Sequence, residues 1–342
     1  MTVENFPDRI ILIDGVEYLY FGGTNYLGIT TNKEFQNILF ESIKKWGTNY
    51  GSSRNANVTL SIYETAEKLL AKKIGTQSAV AVSSGMLAGK FVLEHLSKAT
   101  DAIFHFPDTH PALMCASSLP IIVDGKINAK IFNPDISAIA VVADSISALQ
   151  VQPINLNVLL QIPNKVAITL VIDESHSIGI MGENGAGILS TINIQNIRKI
   201  IVTASLGKAF GISGGIIAGD LNFINAIKSE STFIGASGMN PAFLETLINA
   251  QELYQLQKKK LQHNLDYLNK HFIDRDGFTF NPDYPVIYFD NEVFSKKLFE
   301  NKIITTSFKY PTASGKLNRI VITANHTNDD LKKLIWLLNS NF

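Results

Sequence analysis

Two charged side chains stand where simple solvation explains them poorly. Asp173 directly follows the apolar run Ile168-Thr169-Leu170-Val171-Ile172. That run reads as a buried strand, and open α/β sheets bind their ligands at the carboxyl ends of such strands. Alone, Asp173 would serve equally well as a helix cap. It is followed by Glu174-Ser175-His176-Ser177-Ile178-Gly179, which adds an imidazole, and then by the glycine-rich stretch Gly182 to Gly187 in place of a long helix. Lys208 lies in Thr203-Ala204-Ser205-Leu206-Gly207-Lys208-Ala209-Phe210-Gly211, among small residues after a second apolar run, with Ser213-Gly214-Gly215 beyond. Desolvation there lowers an amine's pKa and suits it to Schiff-base formation and proton transfer. A lysine in a tight surface turn is the plainer alternative. The stretch is not a Walker A loop, because Val202 stands where glycine is needed and Ala209 where Ser or Thr must follow the lysine.

A third cluster, Val82-Ser83-Ser84-Gly85-Met86-Leu87-Ala88, reads as strand, tight turn and helix start. Its free N–H groups and the helix dipole form an anion site. His110, in Asp108-Thr109-His110-Pro111, is by itself better read as structural. The chain has seven histidines and one cysteine, with no His-Glu-x-x-His spacing, so no metal site is expected.

These residues need a scaffold of covered strands. Ala79–Val82, Ala138–Val142, Ala167–Ile172, Ile200–Thr203 and Gly215–Ala218 are apolar on both faces, as strands of a mostly parallel sheet are. Ahead of them, Arg9 to Phe21 reads as a β-ribbon turning at Asp14-Gly15. Ser61-Ile62-Tyr63-Glu64 reads as a capping box opening a helix that Gly75 ends. A long helix is predicted over Pro241 to His271, then strands at Thr279–Phe280, Val286–Phe289, Ile303–Thr306 and Arg319–Ala324, and a last helix begun by Thr327. The expected organisation is an α/β protein of 342 residues. Residues 1–45 form the N-terminal part of a small α+β domain, 46–240 a large domain, and 241–342 the rest of the small one. Thirty basic residues balance thirty acidic ones, which offers no field for nucleic acid or an anionic membrane. One cysteine excludes an internal disulfide and suits the cytoplasm. The stretch Met1 to Asp14 has neither a basic region with an apolar core nor a membrane-length span.

An anion turn, a histidine, an aspartate and a lysine thus follow strands in that order. The order resembles the aspartate-aminotransferase-like (fold type I) pyridoxal 5'-phosphate (PLP) enzymes, and within them the α-oxoamine synthases. The resemblance also rests on Asn25-Tyr26-Leu27-Gly28, Tyr50-Gly51-Ser52-Ser53-Arg54 and Arg319-Ile320-Val321-Ile322-Thr323-Ala324-Asn325-His326-Thr327, and it runs nearly the length of the chain. It implies a large domain with a mixed, mostly parallel sheet and PLP held on Lys208, with Asp173 under the pyridine nitrogen. His110 would stack on the ring and His176 would lie beside its phenolic oxygen or the aldimine. Ser84, Gly85, Met86 and Ser205 would approach the phosphate, and Ser237 the phosphate of a neighbouring subunit in a homodimer with shared sites. Arg319, and with it Asn25, would hold a substrate carboxylate. The implied reaction condenses a small amino acid with an acyl-CoA, with loss of carbon dioxide, to give an α-amino ketone.

Four features depart from the group. The chain enters almost directly at the β-ribbon. Ser147-Ala148-Leu149-Gln150 stands where Ser-Met-Asp-Gly is common, Arg54 lacks the glycine expected soon after it, and Met86 replaces an aromatic residue. They keep open an aminotransferase of the same fold, and a non-catalytic relative that retains only the scaffold.

Overall fold

A computed structural model of the chain describes residues 1–194, 196–273, 276–309 and 316–340, the side chains of 308, 309, 316 and 317 excepted. The chain opens on the expected ribbon. β1 (Ile10–Ile13) pairs antiparallel with β2 (Val16–Phe21), and Asp14 and Gly15 have φ of +50° and +77°, as a two-residue type I′ turn requires. Helices α1 (Lys33–Trp46) and α2 (Ser61–Ile74) follow. The capping box at Ser61 does not form. Leu60 is the last non-helical residue, so Ser61 is already in the helix and Glu64 lies a position too far on to reach back. Glu64 pairs with Lys68 instead.

The large sheet follows from β3 (Ser78–Val82), α3 (Gly85–Ala99), β4 (Ala102–His105), β5 (Leu119–Pro120), a hairpin of β6 (Ile122–Val123) and β7 (Lys126–Ile127), then β8 (Ala138–Asp144), β9 (Ala167–Asp173), β10 (Ile197–Ser205) and β11 (Gly215–Gly219). Its seven strands run β3-β11-β10-β9-β8-β4-β5. All pairs from β10 to β5 are parallel, and β11 is antiparallel to both neighbours. The unbroken apolar runs are explained by burial on both faces. Ala140, Val142 and Val171 pack with Phe91 of α3 on one side, while Ile139, Val141, Ile168 and Leu170 pack with Leu156, Leu159 and Ile162 on the other.

The rest of the chain contributes α4 (Leu221–Ser229), α5 (Ser231–Gly235), α6 (Pro241–Asn249), α7 (Gln251–His271), β12 (Phe278–Phe280), β13 (Val286–Phe289), α8 (Glu292–Glu300), β14 (Ile303–Lys309), β15 (Lys316–Val321) and α9 (Asn328–Asn339). The single helix expected over Pro241 to His271 is two helices broken at Ala250 (φ −94°, ψ 14°). The break lets α6 pack on α1 and α2 while α7 lies along α9. No proline or glycine forces it. A second sheet, ordered β1-β2-β14-β15-β13-β12, joins the two ends of the chain, with β2 parallel to β14 (Leu19 opposite Ile303). Arg9 before the ribbon also pairs with Asp330 at 2.8 Å, in the capping box that starts α9.

Buried hydrogen bonds seat the second sheet against the first. Tyr288 donates to the Ala148 carbonyl at 2.6 Å and Asn281 to that of Val151 at 2.9 Å. Gln257 of α7 donates to the Leu27 carbonyl at 2.8 Å. Among the described residues no helix is long and apolar enough to cross a membrane, and no group of three or more His, Cys, Asp or Glu side chains is placed to hold a metal ion.

Candidate active site

Strands β8 and β9 end in register, Asp144 opposite Asp173. Two carboxylates therefore share one sheet edge. Ser175 N–H donates to Asp173 Oδ1 at 2.8 Å and His110 N–H to Asp144 Oδ1 at 3.2 Å. Burial, and next the charge of Asp173, push the Asp144 carboxyl well above its ordinary range, which favours its protonated form.

Lys208 approaches the pair from the loop after β10. Leu206, Ala209 and Phe210 beside it are buried, and the loop closes on itself through Leu206 N–H to the Gly214 carbonyl at 3.0 Å. Tyr254 adds a bond to the Phe210 carbonyl at 2.9 Å. Burial draws the Lys208 amine down to about 8, opposed by the carboxylates of Asp173 and Asp144 and assisted by Arg319. The surface-turn reading of Lys208 does not fit these surroundings.

Both imidazoles line the same pocket as Lys208 and Asp173. His110 Nδ1 accepts the Ala112 N–H at 3.1 Å, and burial lowers its pKa. His176 is fully enclosed, its Nδ1 is 2.8 Å from the Tyr26 hydroxyl, and burial followed by the charges of Lys208 and Arg319 holds it well below the usual imidazole range.

The anion turn closes the site. Ser84 caps α3 by accepting the Leu87 N–H at 3.1 Å, and the first turn carries no acidic residue to compete with an anion. Gly85 lies so close to the β10 loop that a Cβ there would come within 2.7 Å of Ser205 Cβ. Helix start and loop can meet only because residue 85 is glycine. A pocket of about 190 Å³ remains, lined among others by Gly85, Met86, His110, Asp173, His176, Ser205 and Lys208. Wider recesses near Asn196 and Glu292 gather no comparable set of acid, imidazole and amine.

Other sequence candidates are placed differently. Arg319 is buried on β15, opposite Tyr288, and donates to the Gly23 carbonyl at 3.4 Å. Its charge is felt at both Lys208 and His176. Asn25 holds its own turn, accepting the Ile29 N–H at 3.2 Å and donating to Thr30 Oγ1 at 2.7 Å. Its neighbour Tyr26 is the residue that reaches the site. Ser237 is exposed between α5 and α6 and does not line this pocket. Sequence reasoning passed over Asp144, Tyr26 and Ser175. Asp144 carried the same signal as Asp173, an acid ending an apolar run.

Behind the pocket, buried Glu174 holds the glycine loop, accepting the Ile188 N–H at 2.9 and 3.1 Å and the Ser177 hydroxyl. Burial raises its carboxyl to about 7, with Asp173 adding to the rise and the Ser177 and Ile188 bonds opposing it. The folded state therefore binds more protons than the unfolded one between pH 4.5 and 7, so stability falls as pH rises through that window, by about 3 kcal/mol at most. Wild-type protein is expected to lose more thermal stability between pH 5 and 8 than Glu174→Gln. Parallel melting curves for the two proteins would refute this.

The donors suit a phosphorylated pyridine aldehyde: N–H groups for a phosphate, a carboxylate for a ring nitrogen, an imidazole and an amine. A sequence model of the family described as aminotransferase class I and II matches residues 151–337, more than half the chain. The chain belongs to that family. It is 28% identical over 358 residues to 8-amino-7-oxononanoate synthase of Petrotoga mobilis, covering 96% of this chain and 90% of the relative. It is 25% identical over 355 residues to serine palmitoyltransferase of Sphingobacterium spiritivorum, covering 97% and 88%. A solved serine palmitoyltransferase from S. paucimobilis with PLP-myriocin bound shares the fold at a TM-score of 0.80 and 19% identity, over 98% of this chain and 90% of that one. The protein is a PLP-dependent transferase with the fold type I architecture.

Proposed function

We propose that the protein condenses a small amino acid with an acyl-CoA thioester, with loss of carbon dioxide, to give an α-amino ketone. The observation that carries this reading is the pocket that Lys208 and Asp173 line together, with the charge of buried Arg319 felt at Lys208: an amine for the cofactor, an acid for its ring and, nearby, a planar cation for a carboxylate. Bound PLP supplies a sink for the electron pair released at the substrate α-carbon. Asp173 would hold a proton on the pyridine nitrogen. Lys208 would anchor the cofactor, then take and return the α-proton, which an amine with a pKa near 8 does well at neutral pH. Arg319 would orient the amino acid through its carboxylate, and His110 would pack on the ring. Residues 1–45 and 241–342 would act as one small domain over the large one. A cytoplasmic homodimer, with Ser237 reaching the partner's phosphate, completes the reading.

Ser147-Ala148-Leu149-Gln150, in place of the group's common Ser-Met-Asp-Gly, favours a second reading, transamination on the same machinery. The products separate the two. With PLP, carboxyl-labelled glycine, alanine or serine and acyl-CoAs of several lengths, the synthase is expected to release labelled carbon dioxide and free thiol only when both substrates are present. A keto acid formed without thiol would overturn it in favour of the aminotransferase. Absence of any amino-acid-dependent change would point to a binding protein.

A further inference from the structure

We infer that Tyr26, its oxygen taking the Tyr284 proton, is a positioning residue that fixes His176 as a hydrogen-bond donor into the pocket. The Tyr26 hydroxyl lies 2.8 Å from His176 Nδ1 and 3.3 Å from the Tyr284 hydroxyl. Both phenols are essentially inaccessible to water, at 0% and 1% exposure, so each must place its own proton on a protein acceptor.

Counting those protons orients the chain. Among the described residues the only partner of the Tyr284 hydroxyl is Tyr26, so Tyr284 donates to the Tyr26 oxygen. Tyr26 cannot return that bond with the same proton, and its O–H goes to the one remaining partner, His176 Nδ1. The reverse orientation, with Nδ1–H donating to Tyr26 and Tyr26 donating to Tyr284, would strand the Tyr284 proton without an acceptor. A neutral imidazole that accepts at Nδ1 carries its proton on Nε2. His176 lines the pocket, and among the described residues Nε2 has no partner. Lys208 and Arg319, both cationic and close, oppose a second proton on the ring.

His176 is therefore a fixed donor, suited to an oxygen that carries or gains negative charge, and it does not compete with Lys208 for the α-proton. The reading above enters only in the identity of that oxygen, on the cofactor or the substrate. The device links the two sheets, because Tyr26 is held by its carbonyl to Ala324 N–H at 3.0 Å and Tyr284 precedes β13, while His176 lies in the turn that follows β9 of the large sheet.

The test is the protonation pattern of the His176 ring nitrogens by NMR of ¹⁵N-histidine-labelled protein, with and without PLP, assigned by the signals lost in His176→Gln. Wild type is expected to show protonated Nε2 and bare Nδ1. Tyr284→Phe is expected to keep that pattern, since the Tyr26 proton still has Nδ1 as its acceptor. Tyr26→Phe is expected to mix the two tautomers and to lower kcat by up to about tenfold with little change in the amino-acid KM, less than outright loss of one oriented donor, because part of the population keeps its proton on Nε2. Protonated Nδ1 in wild type, or an unchanged tautomer in Tyr26→Phe, would overturn the inference. The wild-type and Tyr284→Phe spectra decide it even if Tyr26→Phe does not fold. Because the tautomer is also read without PLP, failure of the condensation assay leaves this result standing, and the converse holds.

Discussion

Lys208→Ala is expected to eliminate covalent capture of PLP and to slow amino-acid turnover by about 10³-fold or more, near the upper part of what a positioned proton-transfer group contributes. After borohydride reduction, the intact mass of wild type should rise by one reduced cofactor while the variant stays unchanged. Peptide mapping that placed the cofactor on another lysine would refute the assignment. The environment of Lys208 adds a pH signature. With the amine drawn down to about 8 by burial, the reactive neutral form grows as pH rises toward that value, so capture of PLP by the apoprotein should accelerate between pH 6 and 8 and then level. An unperturbed lysine, near 10.4, would keep accelerating well beyond.

Asp173→Asn should produce the second large effect, and in two directions. Turnover is expected to fall by about 10²–10³-fold, the scale seen when one electrostatic partner of a developing charge is removed, because an amide does not hold the ring nitrogen protonated. Yet the onset of PLP capture should move to lower pH. Asp173 is the leading influence opposing desolvation at Lys208, and without it the amine loses its proton more readily. A slow enzyme whose capture profile kept the wild-type position would show that Asp173 does not act on Lys208. In the same variant Asp144 loses its charged neighbour and should ionise at lower pH.

The parts of the site that were legible in the sequence follow unbroken apolar runs. A strand covered on both faces leaves its terminal polar residue no role in the core, so Asp173 and the Lys208 loop stood out. Gly85 was suggested by turn chemistry and Ser205 by the family resemblance, but their contact was not, since it depends on β3 and β10 lying either side of β11. Tyr26 and Tyr284 were invisible for the opposite reason, because a buried aromatic reads as packing and only its hydroxyl partner shows otherwise. Local signatures also misled. Ser61 to Glu64 matched a capping box, but the helix starts just after Leu60, one residue ahead of the expected register. The break at Ala250 has no local signal at all. It reflects two packing surfaces with different directions, which periodicity within one helix does not reveal.

The parallel pairing of β2 with β14 has a consequence for how the protein comes into being on the ribosome. The first ribbon emerges early, but its neighbour in the sheet lies beyond residue 302, so the entire large sheet must be synthesised before the β2 edge is covered. A nascent or prematurely terminated chain would carry a finished parallel sheet beside an unpaired ribbon open to other strands. Arg319 is made well after the large sheet, so the carboxylate grip proposed for it would be absent from every chain that stops before it. Pulse-labelled nascent chains should thus gain protease resistance in two stages, the second only once β14 and β15 have emerged.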